Sequence, residues 1–326
     1  MKALKKVPLA AWAFLAGVVL LLVIRGSAYY QTIFVLCAIY SIAVSGLDLL
    51  FGYSGQISLG NAMFYATGAY TSAILSVNYG VNPWLAMLAG IVLTVILSVI
   101  VAIPASKLVH QFLALLTIAA GNMMYVFLCK ATNVTNAMKG IRKIPDLSIF
   151  GYELHSKYSF AIFSFVMLAL FLFIKQRIVH SSTGRAFMAI RENTVAAGGM
   201  GINVRRYKIL AFVISAVFAS VAGSMYAHFI GFISPETFNS AQSNLQMTML
   251  LFGGMGNPVG PIFGASVIAI LNESLQSFST YKTLIYGVLV LIAVLFMPRG
   301  CFGLGQDLVN KIRKRGGKVG KKNAEN

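Results

Sequence analysis

Acidic residues are scarce. Only eight Asp and Glu occur in 326 residues, against 26 Lys and Arg, and charge of both signs makes up 10% of the chain. A soluble two-domain protein of this length would carry far more surface charge, so that class is excluded. The three cysteines, Cys37, Cys129 and Cys301, have no metal-ligand spacing. The first two fall within or at the edge of apolar runs and read as small hydrophobes. The four histidines, His110, His155, His180 and His228, are scattered, with no HExxH pattern or nucleophile partner. No G-x-x-x-x-G-K-[ST] loop occurs, so the chain is not expected to hydrolyse ATP itself. No catalytic set, metal site or cofactor is read.

What is present is apolar. Hydrophobic residues make up 58% of the chain and the mean hydropathy is +0.80, the composition of a polytopic protein embedded in a lipid bilayer. The net charge of +18 is spread over short segments flanking apolar runs, without aromatic-basic interleaving. It reads as topology, and no nucleic-acid partner is expected. The start, MKALKKVP followed by the apolar residues 9–24, has the make-up of a signal peptide, but Arg25 and the spans that follow favour a retained first helix. Further apolar segments lie at 32–51, 59–77, 84–105, 112–129, 158–174, 209–229, 245–271 and 283–297.

Lys and Arg favour the cytoplasmic side, so the tail with Lys311, Arg313, Lys314 and Arg315 belongs inside. That requires 245–271 to cross twice, turning at GGMGNPVGP (253–261), where glycine and proline end one helix and begin the next. The expected fold is an all-α polytopic membrane protein of about ten transmembrane helices with glycine-broken hairpins and both termini cytoplasmic. Residues 1–298 form the transmembrane domain and 299–326 a basic cytoplasmic tail. The outer loop 130–157 carries five basic residues against this tendency, and its length allows a small structured element.

The polar interruption at 175–208 reads as a coupling element. Residues 184–201 are expected to form one helix lying on the membrane, with Ser182 and Thr183 as possible N-caps and Gly198-Gly199 as its stop. Phe187 and Ile190 recur at three-residue spacing while Arg185, Arg191 and Glu192 supply charge, which would offer a partner an apolar face with a polar rim. The plainer alternative is an ordinary basic cytoplasmic loop.

LLFGYSGQISLG (49–60) and LLFGGMGNPVG (250–260) echo one another, placing Gly52, Gly55 and Gly60 against Gly253, Gly254, Gly256 and Gly260. Two readings fit. Either an internal duplication lines a pathway with broken helices, or two tight hairpins use glycine for close helix contact. Asp48 is the one acid inside an apolar span, which makes it either a pathway residue or a structural pair for a lysine or a helix terminus. Gln56, Ser58, Asn61, Thr67, Thr71 and Asn257 can line a route for a zwitterionic solute or cross-link helices.

Three stretches carry a family resemblance: GYSGQISLGNAMFYATGAY (52–70), GRAFMAIRENTVAAGGMGINVRRYKILAF (184–212) and GGMGNPVGPIFGA (253–265). In this order they resemble the permeases of branched-chain amino-acid ABC importers, and the GQ-SLG form is closer to the M-type subunit than to its H-type partner. The resemblance covers about residues 40–298. It implies that 175–208 docks on an ATP-binding subunit, with Gly184, Arg185, Ala189, Arg191, Glu192, Asn193, Ala197 and Gly201 at matching positions. It also implies a complex of this permease, an H-type permease, two ATP-binding subunits and an extracytoplasmic binding protein, in a bacterial or archaeal cell membrane.

Two departures stand out. Asp48 replaces a more usual Asn, and TNAMKGI (135–141) puts Asn136 and Ala137 where a TGG-x-x-GI loop has glycines. Relatives of this family also handle urea, short amides and other amino acids, so the substrate stays open, and a sugar permease is a further alternative. An ion-coupled secondary transporter centred on Asp48 is the rival of a different class.

Overall fold

The computed structural model describes residues 26–108, 110–149, 152–153 and 156–274, with the single positions 17, 21, 287 and 288. Apart from those single positions, the expected spans at 9–24 and 283–297 lie outside the described residues, as do the tail at 299–326 and Cys301. The apolar segments are helical because an unpaired peptide group in hydrocarbon is costly, and a helix satisfies its own. The helices are α1 (Ala28–Asp48), continued by a π-helical turn Leu49–Tyr53, α2 (Asn61–Asn78), α3 (Pro83–Ala105), α4 (His110–Lys130) and α5 (Lys157–His180). Then come α6 (Ser182–Glu192), α7 (Thr194–Gly199), α8 (Val204–Ile230), α9 (Ser240–Gly253) and α10 (Gly260–Ser274).

Among the described residues, five helices are long and apolar enough to cross a membrane: Ala28–Tyr53, Pro83–Ala105, Gln111–Lys130, Lys157–His180 and Val204–Ile230. α2 is buried along most of its length, so it meets other helices rather than lipid and does not need their hydropathy. The region 245–271 is two helices rather than one, but α9 already begins at Ser240. With 14 residues, α9 is about 21 Å long, short of the roughly 30 Å hydrocarbon core.

Local chemistry sets the boundaries. Asn82 caps α3 by accepting from the Trp84 N–H at 3.0 Å, with Pro83 in the first turn where its missing N–H is harmless. Asn203 accepts from the Arg206 N–H at 3.2 Å to start α8, which ends at Gly231 in the left-handed region.

α2, α3 and α8 pack at the centre through small residues. A methyl group on Gly68 would run into the Ser220 main chain, and one on Gly223 into the Tyr65 carbonyl. Ser224 Oγ donates to the Gly68 carbonyl and Thr94 Oγ1 to Ser220 Oγ, each at 3.0 Å. Close backbone approach with hydroxyl cross-links replaces the hydrophobic driving force that lipid does not supply.

The loop after α4 holds the small structured element that its length allowed. β1 (Ile141–Arg142) pairs antiparallel with β4 (Phe232–Ile233), and β2 (Ser148–Ile149) with β3 (Tyr152–Glu153). Trp84 Nε1 donates to the Ser148 carbonyl at 2.6 Å, and His228 Nδ1 bonds the Pro145 carbonyl at 2.7 Å, which fixes the proton on Nδ1 and lets Ser72 donate to Nε2 at 2.6 Å. Asn136 and Ala137 both have positive φ, 58° and 48°. The two glycines absent from the TGG pattern are therefore missing where glycine is the unstrained residue.

Candidate functional site

The stretch between α5 and α8 is two helices, not the single helix expected over 184–201. Asn193 ends α6 in extended backbone and its Oδ1 accepts from the N–H groups of Val195 and Ala196, so it caps α7 instead of continuing α6. The helical run starts at Ser182, and Ser181 holds the cap position in place of Ser182 or Thr183. Gly184 lies against the carbonyls of Ile178 and Val179 at the end of α5, where a side chain would collide. α7 ends at Gly199, followed by Gly201 at φ 82°.

The apolar face expected to meet a partner turns inward. Phe187 and Ile190 are buried in this chain, the Phe187 ring perpendicular to Tyr207 at 6.3 Å, and Ala197 is buried as well. Inward packing is the cheaper arrangement, because it removes apolar area from water within the subunit itself. Arg185, Glu192 and Asn193 are exposed and Ala189 is half-buried. The outward apolar surface is instead Met188 with Val195 and Met200, the last two 83% exposed.

The two echoed glycine breaks meet one another. A Cβ on Gly52 would lie 2.8 Å from the Gly256 N. Asp48, one turn before Gly52, accepts from the Gly256 N–H through Oδ1 at 2.8 Å and from Lys175 Nζ through Oδ2 at 2.7 Å. Both charged side chains are buried, so the pair is compensated where a lone ion would be prohibitive. Arg191 reaches over this junction from α6. Its Nη1 donates to the Gly52 carbonyl, its stem lies against Gly55, and Nη1 is 3.5 Å from where a Gly256 side chain would begin.

The π-turn explains why the Gly52 carbonyl is available. Ser54 N–H bonds the Leu49 carbonyl at 3.2 Å, a five-residue step that widens the last turn and frees later carbonyls from the helical ladder. Gly55 at φ 72° then turns the chain back into the protein. Gln56 donates to Ser54 Oγ at 2.9 Å and to the Lys208 carbonyl at 3.2 Å, and the Leu59 N–H donates to Thr117 Oγ1 at 3.1 Å. Irregular backbone is thereby satisfied by protein groups, as burial at membrane depth requires. Ser58 is buried in the same segment, and Gly60 lies against the Thr117 carbonyl. A cavity of about 230 Å³ opens beside it, lined by Ser54, Gln56, Lys107, Ile190, Thr194 and Lys208 among others.

On the other break, Gly253 ends α9 against Gly260, which opens α10. Gly254 between them has φ 99°, and Asn257 is half-buried in the connecting turn. The expected pathway residues therefore separate. Asp48 joins the glycine junction, whereas Asn61 donates to Gln246 Oε1 at 2.7 Å across to α9. Gln242, Ser243 and Gln246 were missed by reading the apolar run as starting at residue 245. The signal was present in the polar run SAQSNLQMT, 240–248, which precedes that start and runs on into it.

Over residues 29–295 the chain matches the family described as branched-chain amino acid transport system / permease component. The chain belongs to that family. This permease component is 30% identical over 313 residues to the high-affinity branched-chain amino acid transport system permease protein LivM of Escherichia coli, covering 89% of the chain and 71% of the relative. It is 27% identical to LivH of Salmonella typhimurium, covering 84% of the chain and 93% of the relative. A probable LivM of Methanocaldococcus jannaschii is 25% identical, covering 80% and 81%. No solved structure matches the permease component.

Proposed function

We propose that this chain is the M-type permease subunit of an ATP-driven, binding-protein-dependent importer of leucine, isoleucine, valine or related amino acids. It works in the cell membrane of a bacterium or archaeon, with about ten spans and both termini inside. Its partners are an H-type permease, two ATP-binding subunits and an extracytoplasmic binding protein. Family membership and likeness to both LivM and LivH support this reading. The observation that carries the mechanism is Arg191 lying across both glycine breaks from the α6–α7 stretch.

In this reading, closure of the ATP-binding subunits moves α6 and α7, and Arg191 passes the movement to Gly52 and Gly256. α1 and α9 end at those breaks, so both helices shift together. ATP drives the cycle only because the partner subunits bind one state more tightly than the other. The test is co-purification: Glu192→Arg, at an exposed position, leaves the protein in the membrane and abolishes association with the ATP-binding subunits. Unchanged co-purification would count against docking through this stretch.

The ion-coupled alternative needs Asp48 free to bind and release a cation. Both of its carboxylate oxygens are already held, by Lys175 and by the Gly256 N–H, which favours the importer.

A further inference from the structure

The seam between α2 and α9 holds polar groups that the protein leaves unpaired. Three contacts fix its register: Asn61 to Gln246 at 2.7 Å, the Ala62 N–H to Ser243 Oγ at 3.0 Å, and the Tyr65 ring to Phe238 at 5.6 Å. The helices run antiparallel here, so Tyr65 and Gln242 follow Asn61 and Gln246 one turn along. Gln246 Nε2 and the Tyr65 hydroxyl are buried without a hydrogen-bond partner, and the Gln242 amide beside them is turned to the Tyr40 hydroxyl. Each such group is destabilising, and native interiors rarely cluster them without a use.

All three can donate, and no cation among the described residues joins them. Beside them stands an aromatic cluster. Phe238 packs on Tyr65, on Tyr70 at 5.5 Å and on Tyr226 at 6.4 Å, and Tyr65 lies 5.8 Å from Tyr226. Donors for an anion next to an apolar wall match the two ends of an aliphatic amino acid.

We propose that the α2–α9 seam is a solute site for a small carboxylate with an aliphatic side chain. The carboxylate accepts from Gln242, Gln246 and Tyr65, and the side chain lies against Tyr70, Tyr226 and Phe238. Neutral donors without a cation hold the solute firmly enough to select it and loosely enough to release it. Tyr65 and Gln246 are fully buried, so the site opens only when α9 moves off α2. The means is at hand, because α9 is followed by Gly254 in a glycine-only conformation, next to the turn that Arg191 touches. This proposal rests on the importer reading.

The test uses the intact assembled transporter in membrane vesicles and follows uptake of labelled leucine for Tyr65→Phe and Gln242→Met. Tyr65→Phe removes an unpartnered group with little change of shape, so melting of the purified complex should be unchanged or higher, whereas Gln242→Met also gives up a contact with Tyr40 and should melt slightly lower. The expected result is uptake per ATP lowered about tenfold, the effect of one lost hydrogen bond to a charged group, with ATP hydrolysis and leucine capture by the binding protein unchanged. Normal uptake by both variants overturns the proposal while leaving the importer reading intact. A fall in ATP hydrolysis equal to the fall in uptake also overturns it, because it marks a role in motion rather than in binding. Wild-type vesicles that take up no amino acid overturn the importer reading, and the proposal falls with it.

Discussion

Lys175 Nζ lies 2.7 Å from Asp48 Oδ2, and both side chains are buried. The pair joins α5 to the end of α1, and through the Gly256 N–H it also holds the second glycine break. Removing one partner strands a charge inside the bundle. Lys175→Met alone is expected to destabilise the protein by about 3–5 kcal/mol, and Asp48→Asn alone by a similar amount. The double variant should recover most of the loss, read as detergent-resistant melting of the purified complex. It also separates the two transport mechanisms, because an importer keeps uptake in the double variant whereas an ion-coupled carrier loses it.

Arg191 offers a different separation. If the α6–α7 stretch only anchors the ATP-binding subunits, Arg191→Ala weakens their association. If Arg191 conveys movement to the breaks, the complex still assembles and hydrolyses ATP, but uptake per ATP falls by about tenfold, the scale of one charged hydrogen bond. Arg191→Lys should restore little, since Nη1 alone meets both Gly52 and Gly256 and a lysine ammonium on a shorter, differently shaped stem does not reproduce that position. Uptake and phosphate release measured in the same vesicles decide between them.

Ala137 sits at φ 48° in the outer loop. An L-residue there is strained by about 1–2 kcal/mol, and glycine removes the strain while loosening the unfolded chain. Ala137→Gly should therefore stabilise the protein by about 1 kcal/mol or less, seen as a raised melting temperature. Asn136→Gly should gain less, because Asn tolerates this conformation better.

Glycine substitutions should divide by surroundings. Gly223→Ala drives a methyl into the Tyr65 carbonyl and should lower stability by at least about 1–3 kcal/mol. Gly198→Ala, in α7 with nothing within 4 Å, should be neutral or stabilising by up to about 1 kcal/mol. Equal effects in the two variants would count against close backbone contact between α2 and α8.

Most of the helical layout could be read from the sequence because long apolar runs have one solution in hydrocarbon. The spans at 84–105, 112–129 and 158–174 fall within helices at nearly those bounds. Asp48 was readable as anomalous, but its partner lies 127 residues away and only the fold names Lys175. The α6–α7 break was missed because alanine-rich propensity pointed to one helix. A single Asn193 side chain overrides it by satisfying two N–H groups. The inward turn of Phe187 and Ile190 was beyond periodicity, which marks an apolar face without saying what covers it. Gln242 and Gln246 were passed over because a span was sought where hydropathy is high, and α9 begins in its polar half.

The distance along the chain between Asp48 and Lys175 also sets a problem for synthesis. At about 5–20 residues per second, the ribosome needs on the order of 6–25 s to make the intervening segment. Throughout that interval α1 is complete and Lys175, the native partner of its acid, does not yet exist. α1 must therefore be retained by the insertion machinery, or rest with its end near the aqueous interface, until α5 arrives. The ion pair thus times when this helix can be released into lipid.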